Sequence, residues 1–89
     1  MIQTQLTIIN KLGLHARAAA KFVACTSAFS SDIRAGVDGQ LVDGKSIMSV
    51  MRLAAGKGTV LNIEIDGRDE EQALAALSAL LENRFDEPE

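Results

Sequence analysis

The 89-residue chain has no tryptophan and no tyrosine, and only one cysteine, one proline and one histidine. With three phenylalanines as its only aromatics, its core must be built from Ile, Leu, Val, Ala and Met. It is also poorly supplied with the stacking platforms that single-stranded nucleic acid needs. A lone Cys25 excludes an internal disulfide framework and a cysteine-based zinc cluster. Within an alanine-rich helical stretch it reads as a small buried residue. No apolar run approaches the length of a membrane span, so no membrane insertion is expected. The opening Met1-Ile2-Gln3-Thr4-Gln5 lacks the basic region and apolar run of a secretory leader. The chain is therefore expected in the cytoplasm, and nothing in it calls for a cofactor or a metal ion.

What is present suits one small domain spanning residues 1–89, because two separate cores would each be too small. The net charge of −3 is unevenly placed: residues 1–60 carry +4 and residues 61–89 carry −7. An acidic total argues against a nucleic-acid binder, whereas a basic half can steer an acidic partner.

Hydrophobic periodicity gives the elements. Ile2, Leu6 and Ile8 alternate with Gln3, Gln5 and Thr7 as in a half-buried strand. After the break Asn10-Lys11-Leu12-Gly13, a helix is predicted from Ala16 to Ala28 with Ala19, Phe22, Val23, Thr26 and Phe29 on one face. Asp38-Gly39, between Ile33–Val37 and Gln40–Asp43, is the pair preferred by a two-residue type I′ hairpin. Ser46 is a good N-cap for a short helix that Gly56 would stop. Thr59–Ile65 is the clearest strand, with Leu61, Ile63 and Ile65 on one face. Asp69 and Gln72 form a capping-box-like start to a last helix that ends near Arg84 and buries Ala73, Leu74, Leu77, Leu80 and Leu81. Phe85 can still pack, and Asp86-Glu87-Pro88-Glu89 is expected to fray. The order β-α-β-β-α-β-α predicts an α+β fold, an open-faced β-sandwich whose four-stranded antiparallel sheet is covered on one face by three helices.

The single His15 falls where coil becomes helix. Histidine is the side chain whose ordinary titration lies near neutrality. At a helix start, unpaired amides and the positive end of the macrodipole favour an anion. Arg17, two residues on, offers a planar fork of donors suited to phosphate. No acidic residue occupies the first two turns, although acids are favoured there. Gly13 permits a tight approach to the helix. These residues converge on a phosphate held at His15. Read blandly, a lone histidine at a helix start is a surface residue or an ordinary cap, and Ser46 is a plain N-cap.

Gly13-Leu14-His15-Ala16-Arg17 resembles the active-site signature of the HPr family, the histidine-containing phosphocarriers of the bacterial phosphoenolpyruvate-dependent phosphotransferase system. Lys45-Ser46-Ile47-Met48-Ser49-Val50-Met51 is similar to the family's second signature, and the element order matches its open-faced sandwich. The resemblance implies that His15 takes a phosphoryl group on Nδ1 from enzyme I and donates it to an enzyme IIA protein, as a carrier rather than a stand-alone enzyme. It implies that the amides of Ala16 and Arg17 cradle the phosphate while the Arg17 side chain screens its charge. It also implies regulatory phosphorylation of Ser46 by HPr kinase/phosphorylase. Ile47, Met48 and Met51 are expected to dock partners, with Ala20, Lys21 and Arg52 at the rim and Val50 and Leu53 buried. A Met-rich patch is adaptable and suits serial docking. Ala18 stands where many sugar-pathway members have proline, as in the nitrogen-related members called NPr, while the Ser46 stretch points to serine-regulated members. The chain is expected to be a monomer. The alternative function is a regulatory protein-binding module, of the nitrogen branch or of carbon-catabolite signalling, controlled through Ser46.

Overall fold

A computed structural model describes all 89 residues. The alternating segments form β1 (Ile2–Thr7), β2 (Asp32–Val37), β3 (Gln40–Asp43) and β4 (Val60–Asp66), and the periodic ones form α1 (Ala16–Ser27), α2 (Ile47–Arg52) and α3 (Glu70–Glu82). The strands make one antiparallel sheet in the order β1-β4-β2-β3. Register follows the apolar pattern: Leu6 lies opposite Leu61, and Ile33 and Ala35 lie opposite Ile65 and Ile63. That face packs beneath the helices, where sixteen buried apolar residues form one contiguous cluster. On the other face, Gln3 and Arg34 both reach Glu64, at 3.3 and 3.2 Å, and Gln5 donates to Asn62 at 3.2 Å. A period-two pattern has sorted the two faces, as a one-sided antiparallel sheet requires. The expected hairpin is present, with Asp38 and Gly39 at φ +56° and +82°.

Two ties set the direction of α2. Thr26 Oγ1 donates to the Gly44 carbonyl at 2.7 Å, and Lys45 Nζ donates to the Phe29 carbonyl at 2.8 Å. They fix the start of α2 to the far end of α1. At its other end, the Leu14 amide donates to the Ala55 carbonyl at 2.8 Å. Helix α2 therefore returns along α1 toward His15. Gly13 serves this contact: at φ +69°, its Cβ position would lie 2.5 Å from the Ala55 carbonyl oxygen. The glycine is needed for the close approach of the segment after α2, more than for entry into α1.

Several local expectations are corrected. Helix α2 ends at Arg52, before Gly56, because the chain turns through Ala54 (φ +50°) to bring Ala55 against Gly13 and Leu14. Asp69 makes no capping bond to its own helix. Its carboxylate instead accepts from the Ser30 and Ser31 amides at 2.9 and 3.0 Å and from the Ser31 hydroxyl at 2.5 Å, pinning the α1–β2 loop. Cys25, Leu53, Leu74 and Leu80 are half-buried rather than buried.

The largest departure is the C-terminus, which does not fray. Phe85 is fully buried, and Arg84, Phe85 and Asp86 form a tight turn with φ of +55°, +52° and +63°. Left-handed backbone costs roughly 1–2 kcal/mol per residue. Burying a phenylalanine contributes about 1.5–3 kcal/mol against that cost. Asn83 Nδ2 donates to Asp86 Oδ1 at 2.6 Å, and Lys21 Nζ pairs with Asp86 Oδ2 at 3.0 Å. The turn reverses the chain, so residues 87–89 lie beside the start of α1.

Candidate functional site

The α1 start is built from a polar break and a helix that begins without an acidic residue. His15 is the N-cap residue, extended at φ −72° and ψ 178°, and its side chain makes no capping bond. Its carbonyl accepts from the Ala19 amide at 2.8 Å, beginning the helical ladder. The Ala16 and Arg17 amides donate to no backbone carbonyl. They face the flank where the macrodipole favours negative charge. The imidazole keeps 30% of its side-chain surface in solvent. Arg17 is exposed and makes no ion pair within 4.0 Å, so its guanidinium is free to move toward an incoming anion. Beneath them Ala18 and Ala19 are fully buried and anchor the first turn to the core.

An open cleft of about 680 Å³ brings together His15, Ala16 and Arg17 with Lys11, Leu12 and the tail. Glu87 enters it from the side. Its Oε2 contacts His15 Nε2, and its Oε1 accepts from Asn10 Nδ2 at 2.9 Å. The Asn10 hydrogen bond, followed by the His15 contact and the nearby Arg17 charge, holds the Glu87 carboxyl below its ordinary pKa of 4.5. Nothing in the pattern of residues 86–89 announces this, because a short acidic tail reads as solvated. The one sequence signal was Phe85, a large apolar residue just beyond the last helix.

The second signature lies elsewhere. Ser46 caps α2, its Oγ accepting from the Ser49 amide at 3.3 Å, and it is half-buried. Gly44 and Lys45 are tied to Thr26 and Phe29, so Ser46 lies toward the C-terminal end of α1 whereas His15 caps its start, with a helix about 18 Å long between those ends. Between these ends α2 leaves Ile47 42%, Met48 62% and Met51 39% exposed, while Val50 is fully buried. Ala20 is exposed on α1, and Lys21 is tied to Asp86. Arg52 lines a separate depression with Val37, Asp38 and Gln40, away from the imidazole. The cleft at His15 contains none of Ser46, Ile47, Met48, Met51 or Arg52. No cluster of three or more His, Cys, Asp or Glu side chains is arranged to hold a metal ion, and no helix is long and apolar enough to cross a membrane.

Residues 2–83 match the family described as the PTS HPr component phosphorylation site. The phosphocarrier protein HPr of Pseudomonas aeruginosa is 57% identical over 86 residues, covering 96% of each chain. That of Cupriavidus necator is 53% identical over 89 residues and the whole of both chains. Among solved structures, an HPr from Thermoanaerobacter tengcongensis superposes with a TM-score of 0.95 over the whole of both chains, at 44% identity.

Proposed function

We propose a phosphoryl relay through His15 for this chain, which belongs to the HPr family of phosphocarriers of the phosphotransferase system. His15 accepts a phosphoryl group on Nδ1 from a phosphohistidine of enzyme I and passes it to a histidine of an enzyme IIA protein, in the cytoplasm. The observation that carries this reading is the start of α1, where a solvent-reaching imidazole occupies the N-cap without capping and leaves the first amides unpaired. Phosphoryl transfer needs alignment and charge neutralisation more than covalent chemistry from the protein. The amides of Ala16 and Arg17 receive the phosphate oxygens, and the Arg17 guanidinium closes over them. Two amides and one mobile arginine hold the group only moderately, which suits cargo that must leave again. The relay is proposed to work as a monomer and without a cofactor.

Partners dock on the exposed Ile47, Met48 and Met51 of α2, with Ala20, Lys21 and Arg52 around them. A regulatory reading is compatible with this and rests on Ser46. A phosphate there sits at a helix start, which tolerates it, so α2 need not melt. At the other end of α1 from His15, its charge is largely screened at physiological salt, where the Debye length is about 8 Å. Phosphorylation by HPr kinase/phosphorylase therefore acts on the docking surface, not on the imidazole. Ser46→Asp should weaken binding of an acidic partner about tenfold; unchanged binding refutes that role.

The relay is tested by incubating the chain with enzyme I and phosphoenolpyruvate. An acid-labile label that is absent in His15→Ala is expected. A label stable to acid, or one that survives the substitution, overturns the proposal.

A further inference from the structure

The tail contact concerns the nitrogen of His15 that the relay does not use. An imidazole attacks phosphorus through an unprotonated nitrogen, and the neutral ring has one of these. Which nitrogen it is depends on the hydrogen bond made by the other. In this structure Nε2 faces Glu87 Oε2, an ionised carboxylate that can only accept. Nε2 must then carry the proton, and Nδ1 is left with its lone pair bare.

The carboxylate is itself held by a fixed donor. Asn10 is fully buried, and its Nδ2 donates both to the Gly13 carbonyl and to Glu87 Oε1, each at 2.9 Å. Turning that amide over would set Asn10 Oδ1 against two acceptors, so the donor orientation is dictated by its neighbours. The Oδ1 atom is buried without a partner, so the amide is held in place although its other end goes unsatisfied. The result is a chain from Asn10 amide to Glu87 carboxylate to His15 imidazole. The left-handed turn at residues 84–86, the buried Phe85 and the Lys21–Asp86 pair hold its middle member in place. The match to the family covers residues 2–83, so Glu87 lies outside it.

We propose that Glu87 is a positioning residue for phosphoryl transfer: anchored by Asn10, it accepts the Nε2 proton of His15 and so presents Nδ1 as the nucleophile. The proposal rests on the relay reading given above. In the step itself, the Nδ1 lone pair forms the new N–P bond. The donor's P–N bond breaks, and its electron pair returns to the donor ring. The Nε2 proton stays between His15 and Glu87. The positive charge that builds on the ring as Nδ1 attacks then faces a carboxylate already in place, the arrangement by which a buried acid orients and stabilises a catalytic histidine elsewhere. When the group moves on, the same contact returns the ring to its starting tautomer.

Two variants of the full-length chain separate positioning from packing. Glu87→Ala removes the acceptor, and the rate of acceptance from phosphorylated enzyme I should fall about tenfold with KM unchanged. Glu87→Gln keeps the shape but not the chemistry. Asn10 still donates to the amide oxygen, so the amide NH2 is presented to Nε2. The neutral ring is forced to carry its proton on Nδ1, and the rate should fall about a hundredfold. In the unphosphorylated chain, the ring 15N spectrum above neutral pH should show Nε2 protonated in the parent and Nδ1 protonated in Glu87→Gln. A tail that merely packs predicts the opposite order, with the isosteric glutamine mild and alanine worse. That order, or a protonated Nε2 in Glu87→Gln, overturns the proposal. Should the parent chain take no label from enzyme I, the relay reading fails, and the ring spectra alone then decide whether Glu87 sets the tautomer.

Discussion

The starts of α1 and α2 share a sequence pattern and are finished in opposite ways. Each has an extended N-cap residue and no acid in its first turn. At α2 the cap is complete, because the Ser46 hydroxyl accepts from Ser49. At α1 the cap residue turns its side chain away, toward Glu87, and the first amides remain open. The hydroxyl closes its helix with its own oxygen, whereas the imidazole leaves its helix unfinished. A short helix of six residues has little else to hold it and gains from a cap. Helix α1, with four buried residues in twelve, is held by the core and can leave its start to an incoming anion.

The strongest way to break this contrast is to release the tail. Phe85→Ala should destabilise the fold by about 3–5 kcal/mol, seen as a lower urea midpoint, since it empties a fully buried site. The α1 start would then face solvent alone. A midpoint close to that of the parent would mean that the tail is not anchored by this residue.

A gentler comparison removes both caps in turn. Ser46→Ala should cost about 1 kcal/mol, as loss of an N-cap usually does. His15→Ala should cost about 0.5 kcal/mol or less, because it removes no capping bond and only a partly exposed pair. Equal losses in urea denaturation would erase the distinction drawn here.

The third helix start gives an effect that depends on pH. The Ser31 hydroxyl, with the Ser30 and Ser31 amides, lowers the Asp69 carboxyl from 3.8 to about 2. Because its pKa is depressed by folding, Asp69 contributes stability above its unfolded value. That contribution is lost as pH falls from about 4 through 2. Stability measured over this range should decline less steeply in Asp69→Asn than in the parent. Matching slopes would show that the loop contact does not survive in solution.

The fold was legible where periodicity and burial agree. Leu61, Ile63 and Ile65 specify the face of β4 and with it the register of its neighbours. Asp38-Gly39 specifies a hairpin through its positive φ angles alone. The candidate site at His15 is legible because His15, Arg17 and the missing acids are local facts of one segment. The helix stop was not, since Ala54 adopts a left-handed conformation only to satisfy a distant contact between Ala55 and Leu14. Asp69 was misread for a similar reason: a carboxylate at a helix start has the right chemistry for a cap, and only the packed loop diverts it to Ser30 and Ser31. The role of Glu87 was hidden most deeply. It depends on three consecutive left-handed residues, two of them Arg84 and Phe85, which local propensity does not favour there, and on a partner 72 positions away.

The most direct test of the account is to phosphorylate the chain with enzyme I and locate phosphorus on the ring by 15N and 31P NMR. Phosphorus bonded to Nδ1, with a proton retained on Nε2, is the predicted result. Phosphorus on Nε2 would contradict it, since that nitrogen is the one Glu87 is held in place to occupy.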